Sequence, residues 1–242
     1  MINIDLPGQF CLVKKSDLGV AFGDSTLRRL IDLVNVDMVA DIGANIGQYA
    51  SQLRRQIGYK GPLVSFEPMP KAVARLRQLS EKDKAWTVRE CAIDDHRGRA
   101  SFNVMAGDQF SSLLAPSSEF KGKFHGQHAV ADVIEVEVIT LADAVDALGD
   151  FSRGLLKLDT QGNEMRILRA CPESLERFPA VQMEVGFQAL YEGAEPFHEV
   201  VAAFEQWGYR LSALFPNNRG HFPHLLEMDA LFLRTPFFPA LE

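Results

Sequence analysis

Five acidic residues follow short apolar runs of the sequence, each at or near the point where a predicted strand ends. They are Asp41, Glu67, Asp94, Asp159 and Glu184. The carboxyl ends of parallel strands meet along one edge of a sheet, and open α/β sheets bind their ligands there. Acidic side chains are rarely buried unless they are paired or functional. The sequence therefore predicts an acidic binding crevice at one edge of an α/β sheet.

The first of these acids leads directly into a glycine turn. Residues 36–47 read VDMVADIGANIG, an apolar run that reaches Asp41, breaks at Gly43 and ends at Gly47. The pattern indicates a buried strand, a tight turn and the start of a helix. A dinucleotide site needs Gly-x-Gly-x-x-Gly, so that the backbone can approach the pyrophosphate, and this run lacks that spacing. An NAD-type dinucleotide oxidoreductase is thus the alternative function rather than the main one.

The charge at the turn favours a cationic ligand over a diphosphate. A carboxylate at Asp41 repels phosphate and attracts a positive group. S-adenosylmethionine carries a sulfonium, an ammonium and one carboxylate, and the backbone amides of Gly43, Asn45 and Gly47 suit that carboxylate. Glu67 is placed for the ribose hydroxyls, a role that both cofactor classes require. We therefore predict S-adenosylmethionine as the cofactor and S-adenosylhomocysteine as the product.

Strand and helix patterns alternate along the rest of the chain. The predicted strands after the glycine turn cover residues 61–66, 86–93, 99–105, 134–139, 155–159, 179–185, 209–215 and 227–234. The last two leave no room for a helix between them, which makes them an antiparallel pair. The predicted fold class is α/β, with a mostly parallel sheet, helices on both faces and an antiparallel C-terminal hairpin.

Two segments stand apart from this alternation. Residues 1–24 are weakly patterned, and Asp24 or Ser25 is expected to cap a helix. The N-terminal segment with this helix, residues 1–35, is expected to pack on the core, across its cofactor side. Residues 36–242 are expected to form a single domain, in which residues 106–132 are rich in Gly, Ser, Pro, Lys and His. A loop this long in a compact domain is usually functional or disordered, and we predict a lid or substrate loop.

The composition excludes several classes of partner. The net charge of −7 disfavours nucleic acid, which needs a basic face. No apolar run reaches the roughly 18 residues of a membrane span and no signal-peptide pattern is present, so no membrane association is expected. The three cysteines form no paired metal spacing and leave one unpaired in any disulfide scheme. We expect a cytoplasmic protein, and the sequence does not indicate its oligomeric state.

Five segments together resemble one protein family. They are DIGANIGQY at 41–49, FEPMP at 66–70, CAID at 91–94 with Gly98 after it, LKLDTQGNE at 156–164 and MEV at 183–185. In this order they resemble the FkbM family of S-adenosylmethionine-dependent methyltransferases, and the LKLDTQGNE segment is the most specific of them. The resemblance covers the chain from about residue 36 to residue 186.

The resemblance implies a Rossmann-like class I methyltransferase fold, with seven strands in the order 3-2-1-4-5-7-6. It implies methyl transfer to a hydroxyl oxygen of a small-molecule, saccharide or polyketide-like acceptor. It also implies that Glu67 holds the ribose, that Pro68 and Met69 flank the adenine, and that Asp94 lies near the adenine amino group. A methyltransferase fold retained for binding, without turnover, is a further alternative.

Methyl transfer to a hydroxyl benefits from a base that removes its proton. Asp159 is the leading candidate, because its strand is predicted to be adjacent to that of the glycine turn. Lys157 points to the same face and is expected to tune Asp159, unless the two are a purely structural ion pair. Glu184 is expected to support these acids. Asp159 and Glu184 offer oxygen ligands to a divalent ion, but two acids on separate strands do not predict a metal site.

Overall fold

The computed structural model of the chain describes residues 14, 18–105, 111–114, 129–188, 191, 193–216 and 225–238. Most of the lid or substrate loop predicted at 106–132 lies outside these residues, so its role stays a prediction. The same holds for most of the N-terminal segment before Leu18. Within the described ranges, every helix is too short or too polar to cross a bilayer.

Ten strands and six α-helices follow one another in the described part of the chain. The strands are β1 Met38–Ile42, β2 Leu63–Phe66, β3 Trp86–Arg89, β4 Ala92–Asp94, β5 Gly98–Met105, β6 Val130–Thr140, β7 Gly154–Leu158, β8 Ala180–Gly186, β9 Tyr209–Phe215 and β10 Glu227–Arg234. The helices are α1 Leu18–Val34, α2 Gln48–Gln52, α3 Pro70–Ser80, α4 Leu141–Leu148, α5 Glu164–Ala170 and α6 Phe197–Gln206. A π-helical turn, Leu53–Ile57, continues α2, and 3-10 turns lie at Pro172–Arg177 and Thr235–Phe237.

Seven of the strands form one mixed sheet, in the order β3-β2-β1-β7-β8-β10-β9. β10 is antiparallel to both of its neighbours, and the other pairs are parallel. Numbered within this sheet alone, the strands have the order 3-2-1-4-5-7-6. The predicted α/β fold, its strand order and its C-terminal hairpin are therefore confirmed. The order reverses between β1 and β7, which is where such sheets form a ligand crevice.

The prediction of one strand over residues 86–93 is wrong. β3 ends at Arg89, and after Glu90 and Cys91 the chain enters a second sheet, in which β4 pairs in parallel with β6 and β5 pairs with β6 antiparallel. Both β3 and β4 contain apolar residues, so the hydrophobic pattern alone does not distinguish one long strand, interrupted by Arg89 and Glu90, from two short ones. The consequence for the site is that Asp94 ends a strand of the second sheet rather than of the main one.

Helices cover both faces of the main sheet. α1 and α2 pack on one face, against Val39 of β1 and Leu155 of β7, while α4, α5 and α6 pack on the other, against Ala40 and Leu156. Because side chains alternate along a strand, Asp41 and Lys157 point to the face covered by α1 and α2. These strands are buried on both faces, so the two charged groups lie inside the protein.

Helix α1 begins earlier than the sequence predicts, at Leu18 rather than at Asp24 or Ser25. Gly19 and Gly23 have low helix propensity and suggest a loop. In the structure, a Cβ atom at Gly19 would lie 3.7 Å from Pro216 Cγ, and one at Gly23 would lie 3.6 Å from Phe215 Cδ1. Packing of this first turn against the end of β9 thus overrides the local propensity.

Candidate active site

The glycine turn connects β1 to α2 and lies against the backbone that follows β7. Gly43 has a φ of 77°, and its amide donates to Phe66 O at 3.0 Å. A Cβ atom at Gly43 would lie 1.9 Å from Asp159 O, so only glycine permits this close approach. Gly47 has a φ of 88° and faces α3, where a Cβ would lie 3.0 Å from side-chain atoms of Leu76 and Leu79. Gly43 therefore brings Asp159 against the turn, while Gly47 shapes the helix start.

Glu67 connects the ends of β1 and β2. Its carboxylate accepts hydrogen bonds from the backbone amides of Asn45 (2.8 Å) and Met69 (2.9 Å). The side chain is buried, and burial raises the pKa of Glu67 to about 7, although the two amides oppose this rise. The carboxylate is thus fixed in one orientation and is sensitive to protonation near neutral pH.

Asp41 belongs to a polar row that crosses the sheet. The register places it opposite Ser65 of β2 and Lys157 of β7, and Lys157 is opposite Gln182 of β8. Ser65 Oγ donates to Asp41 Oδ2 at 3.0 Å, and Trp86 Nε1 donates to Ser65 Oγ at 3.1 Å. Burial raises the pKa of Asp41 to about 7, against the lowering effects of the Ser65 hydrogen bond and the Lys157 charge.

Lys157 lies between two carboxylates. Its Nζ atom is 3.5 Å from Asp159 Oδ2 and 3.3 Å from Asp229 Oδ1, and it donates to Leu158 O at 3.2 Å. Burial lowers the pKa of Lys157, but the charges of Asp159, Asp229 and Glu184 outweigh burial and raise it above its usual range. Lys157 is therefore a permanent ammonium. The pairing with Asp159 matches the sequence prediction, whereas Asp229 is a partner that sequence reasoning missed.

Glu184 and Asp159 share a hydrogen-bond donor. Gln161 Nε2 donates to Asp159 Oδ1 at 2.8 Å and to Glu184 Oε2 at 3.1 Å. Burial, followed by repulsion from Asp159, Glu227 and Asp229, raises the pKa of Glu184 well above its usual value. Burial and repulsion thus oppose ionisation of Glu184, while Asp159 remains 39% exposed beside it.

One cavity of about 780 Å³ contains most of these groups. Nine of the eleven site residues predicted from the sequence line it, namely Asp41, Gly43, Asn45, Glu67, Pro68, Met69, Lys157, Asp159 and Glu184. The cavity wall also includes residues that the sequence did not predict for the site, among them Gly23 and Asp24 of α1, Tyr49 of α2, Gln161, Gln182, Glu227 and Asp229. The predicted residues therefore converge on a single site, which α1 helps to close.

Gly47 and Asp94 are the two predicted residues that do not line the cavity. Asp94 Oδ1 accepts from Asn163 Nδ2 at 3.1 Å and lies 3.2 Å from Arg166 Nε, so its carboxylate is engaged elsewhere. Asp94 therefore contacts the wall through Asn163, and its expected place near the adenine amino group stays a prediction. Because the chain leaves the main sheet after β3, Cys91 and Ala92 form this part of the wall instead.

The wall is strongly acidic. Its seven carboxyl groups belong to Asp24, Asp41, Glu67, Asp159, Glu184, Glu227 and Asp229. Among the residues that the structure describes, Lys157 is the only basic side chain on the wall, and two carboxylates already neutralise it. A diphosphate has no described cationic partner in this cavity, whereas a cationic ligand is attracted to it.

Comparison with known proteins identifies the family. The family model for the methyltransferase FkbM domain matches residues 41–211, which is most of the chain. The chain belongs to the FkbM methyltransferase family. The match begins at Asp41 of the glycine turn and ends within β9, so it contains the Lys157–Asp159 pair. The family predicted by resemblance is thus confirmed, and the dinucleotide alternative is disfavoured.

Similarity to individual proteins extends over most of the chain. The 2-O-methyltransferase NoeI of Sinorhizobium fredii (strain NBRC 101917 / NGR234) is 30% identical over 209 residues, covering 82% of this chain and 79% of that protein. The 31-O-demethyl-FK506 methyltransferase FkbM of Streptomyces tacrolimicus is 27% identical over 230 residues, covering 86% and 81%. A crystal structure of methyltransferase FkbM from Methylobacillus flagellatus KT matches at 15% identity with a TM-score of 0.49, covering 82% of this chain and 43% of that one.

S-adenosylmethionine, the methyl donor of this FkbM-family methyltransferase, is compatible with the cavity. Two buried side-chain oxygens, Asn45 Oδ1 and Asn163 Oδ1, have no hydrogen-bond partner within the described part of the chain, and both residues line the wall. Buried polar atoms without partners are unusual, so both favour a polar ligand. The acidic wall also suits the net positive charge of this cofactor.

Proposed function

We propose that this FkbM-family methyltransferase methylates a hydroxyl oxygen of an uncharged small-molecule acceptor, of saccharide or polyketide type. The observation that carries the proposal is Asp159, a partly exposed carboxylate on the cavity wall that lies against the glycine turn and is paired with a permanent ammonium. Two relatives whose names specify O-methylation or a demethylated polyketide support the choice of oxygen. A methyltransferase-fold binding protein would not need such a carboxylate at this position.

Asp41, Gly43, Asn45, Glu67, Pro68 and Met69 are the residues proposed to hold the cofactor. When bound, S-adenosylmethionine supplies a methyl group that its sulfonium has already activated. Glu67 presents a fixed carboxylate, suited to two neighbouring hydroxyls, and Asn45 presents an unpaired side-chain oxygen. Gly47 and Asp94 act indirectly, since Gly47 permits the helix start and Asp94 fixes Asn163 of the wall.

Asp159 is proposed as the general base. Lys157 cannot accept a proton, because its carboxylate neighbours hold it as an ammonium. Glu184 is disfavoured, because burial and repulsion raise its pKa and oppose the ionised form that a base requires. Asp229 is less accessible than Asp159, with a side chain 22% exposed against 39%. Lys157 and Glu184 thus support Asp159, and removal of the acceptor proton contributes on the order of 10²–10⁴-fold to the rate.

A divalent ion is not required in this proposal. Lys157 Nζ lies within 3.5 Å of both Asp159 and Asp229, which is where a cation bridging the two carboxylates would sit. Its ammonium group therefore supplies the positive charge that a metal ion supplies at other acidic sites.

The test separates cofactor binding from turnover. Calorimetry with S-adenosylmethionine should show strong loss of affinity in Glu67→Gln, and unchanged affinity in Asp159→Asn. Transfer of a radiolabelled methyl group to 31-O-demethyl-FK506, alkyl glycosides and fractionated cell extract, with mass spectrometry of the product, should fail in Asp159→Asn. Glu176→Gln and Asp146→Asn change exposed residues and serve as matched controls. Full turnover by Asp159→Asn would refute its role as base, and a labelled nitrogen or carbon would refute O-methylation.

A further inference from the structure

We propose that Gln161 is the positioning residue that orients the Asp159 carboxylate and separates it from Glu184. This inference rests on the proposed function, in which Asp159 accepts the acceptor proton. Gln161 is buried on the cavity wall, and its amide contacts both acids and a tyrosine. No cofactor contact needs to be assigned to it.

The orientation of the Gln161 amide follows from its neighbours. Its nitrogen carries two hydrogens and lies 2.8 Å from Asp159 Oδ1 and 3.1 Å from Glu184 Oε2. The Asp159 carboxylate, which is proposed to act as the base, only accepts hydrogen bonds when ionised, so the amide nitrogen must face Asp159. The amide oxygen then accepts from the Tyr191 hydroxyl on its other side. A flipped amide would place its oxygen against the Asp159 carboxylate, a contact between two acceptors, and would leave the Tyr191 hydroxyl facing the amide nitrogen.

Two partners fix the Asp159 carboxylate. Oδ1 accepts from Gln161, while Oδ2 lies 3.5 Å from Lys157 Nζ. Rotation of the carboxylate breaks at least one of these interactions, so its free lone pairs keep a constant direction toward the cavity. Hydrogen bonds to a charged group are stronger than neutral ones, and removing the Gln161 donor therefore disturbs the base directly.

The backbone of Gln161 is fixed as well. Its φ is 58°, in the left-handed region that residues with side chains rarely adopt. Ser112 Oγ lies 3.0 Å from Gln161 O and 3.1 Å from Thr160 O, and Ser112 is fully buried. The next residue, Gly162, has a φ of 99°, and a Cβ there would lie 2.8 Å from Tyr191 Cβ. A strained residue held on both sides is typical of a functional constraint.

Two substitutions at this position distinguish positioning from simple packing. Gln161→Met keeps the length of the side chain and removes both donors. We expect kcat to fall about 10- to 100-fold, with the Kd for S-adenosylmethionine within about twofold of wild type. The acidic limb of the pH profile of kcat should move to higher pH, because the base loses a donor that favours its ionised form.

Gln161→Glu gives a second, qualitatively different signature. At pH 8 a third carboxylate repels Asp159 and Glu184, so kcat should fall further than in Gln161→Met. At lower pH the new acid becomes protonated and donates again, so part of the activity should return. A packing role predicts no such recovery. Gln78→Met changes an exposed glutamine of α3 and is the matched control.

The outcomes separate the two proposals. All assays use the full chain, tritiated S-adenosylmethionine and the acceptor that wild type turns over fastest among alkyl glycosides and 31-O-demethyl-FK506. If Gln161→Met retains the wild-type kcat and pH profile, or changes only Kd, the positioning role is wrong while O-methylation stands. If wild type transfers no methyl group to any hydroxyl, both proposals fail. If Gln161→Met does not fold, Gln161→Glu and Tyr191→Phe test the positioning role instead. Tyr191→Phe removes the hydroxyl that donates to the Gln161 amide oxygen and should lower kcat about threefold to tenfold.

Discussion

Replacing Asp41 with asparagine is expected to stabilise the protein while weakening cofactor binding. Asp41 is 1% exposed, and burial raises its pKa from 3.8 to about 7. The folded protein therefore binds this proton more tightly than the unfolded chain does. Stability from this group is fully present below pH 3.8 and is lost progressively as the pH rises to about 7.

The magnitude follows from the size of this rise. A change from 3.8 to about 7 corresponds to about 4 kcal/mol of free energy of unfolding. Structural relaxation and water entry reduce the cost of a buried charge, so we expect about 2–4 kcal/mol. Asparagine is nearly isosteric and its oxygen still accepts from Ser65 Oγ, while Lys157 keeps its contacts with Asp159 and Asp229. Almost the full increase in the free energy of unfolding of Asp41→Asn should therefore be observed at pH 8.

Urea unfolding of wild type and Asp41→Asn between pH 4.5 and 8.5 tests this reasoning. The difference in unfolding free energy should be small at the acidic end, increase by at most about 1.4 kcal/mol per pH unit, and level off above pH 7. Calorimetry at pH 8 should show weaker binding of S-adenosylmethionine by the stabilised variant. Asp146→Asn, on the exposed face of α4, should show neither effect. A variant that is less stable than wild type at pH 8, or a difference independent of pH, would refute the buried-charge explanation.

Three further predictions concern the same cavity. Lys157→Met leaves Asp159 and Asp229 without their shared cation. The free energy of unfolding at pH 8 should therefore fall by about 2–3 kcal/mol, and kcat should fall at least tenfold. Unchanged values of both quantities would show that the ion pair is not needed. Treatment with EDTA should leave the initial rate of methyl transfer within twofold, and a loss restored by Mg²⁺ would overturn the metal-free proposal. A phosphorylated acceptor should have a kcat/KM at least about tenfold lower than its neutral counterpart, because only Lys157 is basic on the described wall; equal values would contradict charge selection.

The sequence predicts the main sheet well, because its buried central strands and its partly buried edge strand β9 all have recognisable apolar patterns. The bounds predicted for the last two strands, 209–215 and 227–234, coincide with β9 and β10. Prediction from the sequence fails where packing between distant segments determines the secondary structure. Apolar residues at 86, 88 and 91–93 do not reveal the break between β3 and β4. The glycines at 19 and 23 suggest a loop, but they belong to α1 and lie against Phe215 and Pro216.

The candidate site likewise contains acidic residues that the sequence predicts and others, such as Asp229, that it does not. An acid directly after a strand is visible in a sequence, which is why Asp41, Glu67 and Asp159 are predicted to share one edge, and the cavity contains all three. Asp229 lies near the start of an antiparallel strand, so the expectation that acids at the carboxyl ends of parallel strands share one edge does not apply to it. The register of β8 and β10 places it opposite Glu184 and within 3.3 Å of Lys157. The local signal is an aspartate within the otherwise apolar residues 228–233, and it becomes informative once β10 is known to insert between β8 and β9. Long-range register, rather than residue type, therefore determines which acids share the buried lysine.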